Sequence, residues 1–299
     1  MLTDGVKIVT LPKFAPVDYM NSVKTHKPHV LLLVPPLVMF MSSFPGVKPE
    51  YLSSLRTIYC GGAPLGGSDE TKMREKAGKP ISILQAYGLT ETVAATMTPH
   101  SLQGKYPGSM GKAIPNTFLK VIAVDDNAGK HLPPDTTGEL LIKGPQVMKC
   151  YYNQPEKTRE AFLNGWFKSG DLVTYNKDGI LYIVDRIKDL IKVKALQVAP
   201  AEIEEVLREY EGVQEAAVIG IPHKLSGEVP RAYVVPKKDA KIDVNKLNEY
   251  VTSKLAKHKR IDGGIVLVPQ IPKTPVGKIL RRLIRLEYLK ERSQDKDKK

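Results

Sequence analysis

Residues Gln85 to Thr92, QAYGLTET, place a glycine, two hydroxyls and a carboxylate at the end of an apolar run. Gly88 permits a turn there, and Thr90 and Glu91 present a hydroxyl and a carboxylate side by side. Magnesium prefers one or two carboxylates together with phosphate oxygens, so this pair suits a magnesium–phosphate group. The competing interpretation is an ordinary helix that begins at a Thr90 cap.

A second segment, CGGAPLGG from Cys60 to Gly67, follows an apolar run and precedes a helical pattern. Its glycines would let a ligand ring or phosphate approach the backbone, and the next helix would offer its N-terminal amides. An ordinary strand-to-helix turn is the alternative. The Walker A pattern is excluded, because no G-x-x-x-x-G-K followed by Ser or Thr occurs.

The third segment is GWFKSGDL, Gly165 to Leu172, in which Asp171 follows a glycine and precedes the apolar run LVTY. A carboxylate can accept hydrogen bonds from both hydroxyls of a ribose, as it does in dinucleotide-binding folds. The sequence therefore predicts a ribose-binding aspartate here. An aspartate in a surface turn is the alternative.

The fourth segment is PKTPVGKILRR, Pro272 to Arg282, where Lys278 follows a glycine at a predicted helix start. A cation is disfavoured at that end of a helix by the helix dipole. An anionic partner would explain the position of Lys278. A solvated lysine is the alternative.

The elements that must position these segments change in character along the chain. Up to residue 87, apolar runs alternate with helical patterns, which predicts a parallel sheet with covering helices. The predicted strands are VKIVTL, HVLLLVP, LRTIYC and ISILQAY, and the predicted helices span residues 17–27 and 67–77. Residues 104–185 have strands separated by turn pairs, which predicts a small antiparallel barrel or sheet.

After Asp185 a compact α+β pattern begins. Residues 199–210 place Ile203 and Leu207 on one helical face, and a second helix is predicted to begin at an Asp243 cap. We therefore expect a domain boundary near Asp185 to Lys188. The expected domains are residues 1–185, divided into an α/β part (1–100) and a barrel part (101–185), and residues 186–299.

Composition excludes several classes of protein. With 299 residues, 42% hydrophobic and 26% charged, the chain is expected to form about two globular domains. The longest apolar run, residues 30–41, is interrupted by two prolines and is short of the ~20 residues that span a bilayer, so no membrane span is predicted. No secretory signal is apparent, and two cysteines indicate a reducing compartment. A zinc site is not expected from six scattered histidines.

The net charge of +13 would suit a nucleic acid or a phosphate-bearing ligand. Part of this charge lies in the final stretch, LEYLKERSQDKDKK, which has the pattern of a helix ending in a solvated tail. A nucleic-acid surface should also interleave aromatic residues with Lys and Arg, and that pattern is missing. We therefore expect phosphate-bearing small molecules, and no nucleic acid, as partners.

Taken together and in this order, the segments resemble the core motifs of the adenylate-forming (AMP-binding) superfamily of acyl-CoA synthetases, 4-coumarate:CoA ligases and beetle-type luciferases. The segments that carry the resemblance are YGLTET, GELLIKGPQVMKCYYNQPEKT, GWFKSGDL, VDRIKDLIKVKALQVAPAEIE and PKTPVGKILRR. It extends from about Lys7 to Arg285. It implies the carboxyl-terminal part of a large α/β domain, with a parallel sheet and a small β-barrel, followed by a small mobile α+β domain.

The resemblance also implies an activity, an acid–thiol ligase that uses ATP, Mg²⁺ and coenzyme A to join a small carboxylic acid to CoA through an acyl-adenylate. It implies these nucleotide-binding residues: Gly61, Gly62, Ala63, Pro64, Tyr87, Gly88, Thr90, Asp171, Arg186 and Lys188. Glu91 would hold the Mg²⁺, and Thr90 the ATP phosphates. Asp171 and Arg186 would bind the ribose hydroxyls.

In this family the small domain rotates between two reactions, and Lys188 occupies the position of the hinge. Lys278 would reach the substrate carboxylate and the α-phosphate during adenylation. After rotation about the hinge, Lys192 would face the same pocket for the transfer to CoA. The resemblance thus implies Lys278, Lys192 and Thr90 as catalytic residues.

Three departures from the family pattern bear on activity. The family has an upstream region with a Ser/Thr/Gly-rich loop that wraps the β- and γ-phosphates, and this sequence has no such segment. Cys150 and Ala195 stand where the family has glycines, and the methyl group of Ala195 would crowd the thiol tunnel. A truncated enzyme with weakened adenylation is therefore one expectation. A catalytically impaired nucleotide-binding or acyl-adenylate-binding module and a luciferase-like monooxygenase are the alternatives.

The expected location is the cytoplasm. Some relatives are peroxisomal, but the chain ends in KDKK and lacks the S-K-L signal. The sequence does not determine the oligomeric state or the identity of the acid.

Overall fold

The computed structural model describes residues 5–102, 104–194, 196–274 and 277–297, without the side chains of residues 100 and 293–297. Its contacts divide the chain into two compact units, residues 1–115 and 116–299. The predicted boundary near Asp185 to Lys188 lies inside the second unit and stays a prediction. Among the described residues, no helix has the length and apolar character needed to cross a bilayer.

The first unit is built on one sheet with helices. Its elements are α1 (Pro16–His26), β1 (Val30–Leu33), α2 (Pro35–Ser43), β2 (Thr57–Gly61), α3 (Gly67–Ala77), β3 (Ser82–Tyr87), β4 (Thr96–Met97) and β5 (Lys112–Ala113), with 3₁₀ turns at Pro49–Leu52 and His100–Leu102. The sheet order is β1-β2-β3-β4-β5. The first three strands are parallel and the last two pair antiparallel. The predicted parallel sheet with helices is confirmed.

Local sequence explains the helix ends in this unit. Helices α1 and α2 each begin with a proline in the first turn, where its missing N–H costs no hydrogen bond. Helix α3 ends at Gly78, whose φ of +64° is the left-handed conformation that glycine adopts without strain. On β1, Leu31 and Leu33 are buried and belong to the same apolar cluster as Met41 of α2 and Met73 of α3.

The predicted first strand, VKIVTL, is wrong. Residues 6–12 form neither strand nor helix. Val6, Ile8 and Leu11 are each more than a third exposed. An extended segment becomes a strand only when a neighbour completes its hydrogen bonds, and no described strand pairs with this one.

The second unit begins with an antiparallel sheet, as the turn pairs predicted. Its elements are β6 (Phe118–Ile122), β7 (Gly138–Lys143), α4 (Pro155–Glu160), β8 (Phe162–Leu163), β9 (Trp166–Tyr175) and β10 (Leu181–Arg186). The order is β10-β9-β7-β6, and β8 pairs with β9. A 3₁₀ turn, Ile187–Asp189, follows β10 directly and contains Lys188.

The remainder of the second unit is the predicted α+β part. Its elements are β11 (Ile191–Val193), β12 (Leu196–Val198), α5 (Pro200–Glu209), β13 (Val213–His223), β14 (Gly227–Pro236), α6 (Val244–Lys254), β15 (Ile265–Leu267) and α7 (Arg281–Asp297), with a 3₁₀ turn at Lys257–Lys259. The predicted helical face of α5 is confirmed, since Ile203 and Leu207 are fully buried. The predicted cap is confirmed too, because the Asp243 carboxylate accepts the Asn245 N–H at 2.9 Å and the Lys246 N–H at 3.3 Å.

A buried ion pair joins α5 and α7. The guanidinium of Arg281 donates from Nη2 to both carboxylate oxygens of Glu204, at 2.8 and 2.9 Å. Glu204 also accepts the Val218 N–H of β13 at 2.8 Å. The Glu204 side chain is 5% exposed, so its charge needs these partners to offset the loss of water.

We expect Glu204→Ala to lower the free energy of unfolding of the second unit by about 3–5 kcal/mol, because it strands the buried Arg281 charge. Glu202→Ala on the same helix is the matched control. Glu202 pairs with Lys259 at 2.6 Å but is 42% exposed, so its loss should cost less than about 1 kcal/mol. Urea unfolding followed by the fluorescence of Trp166, the single tryptophan, measures both. Equal losses in the two variants would contradict this ranking.

Candidate functional site

Two of the predicted segments meet at one edge of the first sheet. Strands β2 and β3 are parallel, with Cys60 opposite Gln85 and Gly61 opposite Ala86. Their carboxyl ends therefore lie side by side, as ligand-binding strand ends do in open α/β sheets. This brings the segment at residues 61–64 next to the segment at residues 87–92.

A buried glutamine that sequence reasoning missed joins these two segments. Gln85 is 1% exposed, its Oε1 accepts the Leu65 N–H at 2.9 Å, and its Nε2 donates to the Leu65 carbonyl at 2.9 Å. The same Nε2 donates to Glu70 of α3 at 2.8 Å, and Glu70 also accepts the Gly108 N–H at 3.3 Å. Gln85 thus fixes the loop after Pro64 to the strand that ends at Tyr87.

Gly88 is required by close backbone packing. A Cβ there would overlap the Val93 carbonyl and the Ala94 backbone. The chain folds back at this point, and the Ala95 N–H donates to the Tyr87 carbonyl at 2.8 Å. Only a residue without a side chain admits that return.

No helix follows Gly88, so the alternative of a helix capped by Thr90 is wrong. Residues 90–92 form a turn instead. The Leu89 N–H donates to the Thr92 hydroxyl at 3.0 Å, and the Thr92 N–H donates to the Leu89 carbonyl at 3.1 Å. The buried Thr92 therefore holds the turn, while Thr90 is exposed and Glu91 is half-buried.

The turn ends in a strained residue. Val93 has a φ of +57° and is 79% exposed. A β-branched residue with positive φ is an outlier, and such strain persists only where the surrounding structure enforces it. Here the enforcing contacts are the Thr92 hydrogen bonds and the close approach at Gly88.

The carboxylate of this turn fits a magnesium ion that is bound together with phosphates. Within the described residues no three His, Cys, Asp or Glu side chains converge into a metal-binding group. Magnesium is commonly held by one or two carboxylates, with phosphate oxygens and water completing its coordination. Glu91 with its neighbouring hydroxyls matches that donor set.

In the second unit the structure brings Asp171 and Arg186 together. They are direct partners across β9 and β10, and Arg186 Nε lies 2.8 Å from Asp171 Oδ1. Asp171 is 3% exposed, and its N–H donates to the Ser169 hydroxyl at 3.1 Å. The charge of Arg186 offsets part of the cost of burying this carboxylate, and their contact gives it one orientation.

Glu139 of β7 supports this pair and was also missed by sequence reasoning. Its Oε1 accepts the N–H of Gly170, the residue before Asp171, at 3.2 Å. Burial raises the pKa of Glu139, while the Lys168 charge and the Gly170 hydrogen bond act in the opposite direction. A cleft of about 280 Å³ opens beside these residues, lined by charged side chains that include Lys168, Arg186 and Lys188.

The two catalytic lysines predicted from the resemblance lie on separate elements of the second unit. Lys192 is exposed on β11, and its backbone N–H donates to Glu228 at 3.1 Å. Lys278 is exposed in a tight turn, in which its N–H donates to the Thr274 hydroxyl at 3.1 Å and the Thr274 N–H donates to the Lys278 carbonyl at 2.8 Å.

The predicted helix start at Lys278 is wrong, because α7 begins at Arg281. Lys278 therefore lies three residues before the helix, and the helix-dipole argument for an anion does not apply to it. Cys150 is exposed. Ala195 lies outside the described residues.

Comparison with known proteins identifies the family. The model of the AMP-binding enzyme family matches residues 1–152, and the model of the AMP-binding enzyme C-terminal domain matches residues 202–278. The chain belongs to the AMP-binding enzyme family.

Its relatives include CoA ligases and a luciferase. The chain is 39% identical over 284 residues to "Probable 4-coumarate-CoA ligase 3" of Dictyostelium discoideum, covering 94% of this chain and 51% of the relative. It is 39% identical over 294 residues to "Luciferin 4-monooxygenase" of Photuris pensylvanica, covering 98% and 53%. The chain spans about half the length of the curated relatives it matches.

Solved structures agree with this assignment. The ATP-bound MatB of Rhodopseudomonas palustris superposes with a TM-score of 0.85 at 32% identity, over 93% of this chain and 54% of that one. The anthranilate CoA ligase AuaEII in complex with anthranoyl-AMP superposes with a TM-score of 0.84 at 27% sequence identity, over 95% of this chain and 55% of that one. The resemblance and the fold class predicted from the sequence are therefore confirmed. The roles of individual site residues stay predictions.

Removing the Gln85 amide should destabilise the first unit. Gln85→Leu leaves the Leu65 N–H and carbonyl and the Glu70 carboxylate without this partner, at roughly 1–3 kcal/mol for each stranded group. We expect a loss of at least about 2 kcal/mol in the free energy of unfolding, measured by circular dichroism in urea. Thr71→Val, which deletes one exposed hydrogen bond on α3, is the control and should be nearly neutral. A Gln85→Leu protein as stable as the control would contradict the role of Gln85.

The two cysteines should differ sharply in reactivity. Burial, reinforced by the Glu70 charge, raises the pKa of the Cys60 thiol to about 12, and Cys60 is 1% exposed. Since the thiolate is the reactive form, Cys60 should resist alkylation at pH 8, while the exposed Cys150 should react readily. Titration with a chromogenic disulfide should find one fast thiol per native chain and none in Cys150→Ser. Two thiols reacting at equal rates would rule this out.

Proposed function

We propose that this protein binds ATP with Mg²⁺, activates a carboxylic acid as an acyl-adenylate and transfers the acyl group to coenzyme A. The observation that supports this most is the contact of the buried Asp171 with the partly exposed Arg186 beside a charged cleft, in a chain of the AMP-binding enzyme family. Its relatives include proteins named as CoA ligases.

In the adenylation step, an oxygen of the carboxylate attacks the α-phosphorus of ATP, and the bond to the bridging oxygen breaks to release pyrophosphate. Both reactants are anionic, so the step needs positive charge where negative charge builds. Lys278, exposed at its turn, provides an amine that can neutralise the carboxylate and α-phosphate oxygens. Glu91 provides a carboxylate for the Mg²⁺ that accompanies the phosphates, and Thr90 a hydroxyl donor to them.

The nucleotide is held by groups that do not react. Asp171 accepts hydrogen bonds from the ribose hydroxyls, and Arg186 orients that carboxylate through their 2.8 Å contact. Residues 61–64, Tyr87 and Gly88 lie at the adjacent carboxyl ends of β2 and β3, where they would contact the base of the nucleotide. Gly62, with a φ of +86°, turns the chain there.

In the transfer step, the sulfur of coenzyme A attacks the acyl carbonyl and AMP leaves, while the thiol proton passes to solvent. The mixed anhydride supplies a good leaving group, so the protein mainly has to guide the thiol. Lys192 is the residue proposed to face the reacting centre in this step, after rotation about Lys188.

A second candidate function is a nucleotide-binding or acyl-adenylate-binding module without turnover. It rests on the same Asp171–Arg186 pair and requires neither Lys278 nor Lys192. Both functions require nucleotide binding. They differ in whether pyrophosphate exchange and thioester formation occur.

The two half-reactions should respond to different lysines. ATP–pyrophosphate exchange across a panel of fatty and aromatic acids should fall at least about 100-fold in Lys278→Ala and in Glu91→Ala, because each removes charge stabilisation from the adenylation step. Lys192→Ala should keep exchange but lose thioester formation from added acyl-adenylate. Asp178→Ala, in the exposed turn before β10, is the control and should match the wild type.

Calorimetry with AMP separates the two candidate functions. AMP binding that weakens at least tenfold in Asp171→Ala, together with no exchange in the wild type, would favour the binding module. Unaltered AMP affinity in Asp171→Ala would contradict both functions as assigned to this site.

A further inference from the structure

Helix α5 has no cap of its own. Its N-cap residue is Ala199, which has no side-chain acceptor, and Pro200 occupies the first turn. The next backbone N–H, that of Ala201, must find an acceptor elsewhere. It donates to Asp185 Oδ2 at 3.0 Å, so a carboxylate sixteen residues upstream caps the helix.

This cap comes from the far side of the predicted hinge. Asp185 lies in β10, before the 3₁₀ turn that contains Lys188, whereas α5 lies after that turn. The Asp243 cap of α6 is different, because Asp243 directly precedes the helix it caps. The Asp185–Ala201 hydrogen bond is therefore a tie between the sheet that ends in β10 and the α+β part that follows.

The same strand end is fixed on its other side. Successive strand residues point to opposite faces, so Asp185 is directed to α5 while Arg186 is directed to Asp171 of β9. Asp185 is 8% exposed, and its Oδ1 also accepts the Arg186 N–H at 2.7 Å. A carboxylate buried this deeply needs both hydrogen bonds, since an unsatisfied buried acceptor is costly.

The surroundings favour this arrangement of the carboxylate. Apolar residues from both sides of the hinge pack together here, among them Leu172 and Val184 before it and Leu190 and Ala199 after it. The charged groups near Asp185 include Arg281 of α7, Glu204 of α5 and Asp189 of the 3₁₀ turn, and Arg281 Nη1 lies 4.0 Å from Asp189. Rotation of the α+β part about Lys188, relative to the sheet that ends in β10, would separate Asp185 from Ala201.

We propose that Asp185 is a positioning residue, whose carboxylate caps α5 across the hinge and so holds the α+β part in the arrangement described here. The proposal deepens the proposed function and rests on it for the rotation about Lys188. Each rotation breaks the Asp185–Ala201 hydrogen bond that caps α5, and contacts made in the second arrangement must compensate for the lost free energy. Arg186, which contacts the Asp171 carboxylate proposed to bind the ribose, and Asp185, which restrains the rotation, are then neighbours in β10.

Asp185→Ala and Asp243→Ala form a matched pair, because each deletes one helix cap in the same unit. Hydrogen exchange of the unliganded protein is the first readout. Asp185→Ala should speed exchange at the Ala201 amide by roughly 2- to 30-fold, the range that a lost cap gives, while Asp243→Ala should do so only at residues 245 and 246.

Trypsin cleavage after the exposed Lys188 is the second readout, since cleavage requires the 3₁₀ turn to open. Asp185→Ala should be cleaved there several-fold faster than the wild type, and Asp243→Ala at the wild-type rate. A purely local cap would accelerate exchange in α5 without altering cleavage at Lys188, and this result would overturn the proposal. Faster cleavage in both variants would overturn it too, because it would indicate general destabilisation.

Asp185→Asn keeps the proposal testable if Asp185→Ala fails to fold. The amide oxygen of Asn can still accept the Ala201 N–H but carries no charge. The rate of hydrogen exchange at Ala201 and the rate of cleavage after Lys188 should therefore lie between the wild-type rates and the rates expected when the cap is lost. Rates identical to the wild type would show that the charge is not needed. Neither readout uses a nucleotide, so the two proposals fail separately. If the proposed function is wrong, AMP affinity is unaltered in Asp171→Ala. If the role of Asp185 is wrong, the rates of exchange at Ala201 and of cleavage at Lys188 do not respond as expected.

Discussion

The structure of the second unit depends on partners for the carboxylate of Asp171, which is buried inside the protein. A buried carboxylate is costly unless an opposite charge and hydrogen bonds replace its water. Arg186 supplies the charge at 2.8 Å from the adjacent strand, and Ser169 supplies the hydroxyl that fixes the local backbone. Because Arg186 is the last residue of β10, satisfying Asp171 also determines where that strand ends and where the 3₁₀ turn with Lys188 begins.

From that strand end the remaining polar contacts follow in sequence. Asp185 caps α5, α5 carries Glu204, and Glu204 holds Arg281 at the start of α7. Lys278 lies three residues before Arg281, in a turn closed by Thr274. The Asp171–Arg186 pair, proposed to bind the ribose, is thus connected through hydrogen bonds and ion pairs to Arg281, which lies three residues after the lysine proposed for adenylation. Each of these contacts would be costly to break singly, because the groups are buried or half-buried.

Periodicity predicted most elements, because their burial is decided locally. The apolar run ISILQAY became β3, and the pattern at residues 67–77 became α3, with Gly78 to end it. The predicted strand VKIVTL was wrong, since strand formation depends on a partner that the local sequence does not contain. The helix start was placed three residues too early, because the turn that holds Lys278 is formed by a hydroxyl, that of Thr274, and not by the helix.

The site was predictable only in part. Glycines, hydroxyls and carboxylates that interrupt apolar runs marked residues 61–64, 88–91 and 171 as candidates, although Asp171 lies inside β9 and not at a strand end. Gln85 and Glu139 were missed, since each acts on a residue distant in sequence. Gln85 bonds to Leu65, and Glu139 bonds to Gly170 across a strand pairing that only the fold creates. A polar residue within an apolar run, as Gln85 is, was the one available signal.

The assignment on which the proposed function depends is the binding of a nucleotide at Asp171 and Arg186. Hydrogen exchange of the whole chain with and without Mg·ATP tests it most directly, because amides report on each segment separately and no turnover is needed. We expect slower exchange with nucleotide at residues 170 and 171. Unaltered exchange at these residues at saturating nucleotide would contradict the assignment.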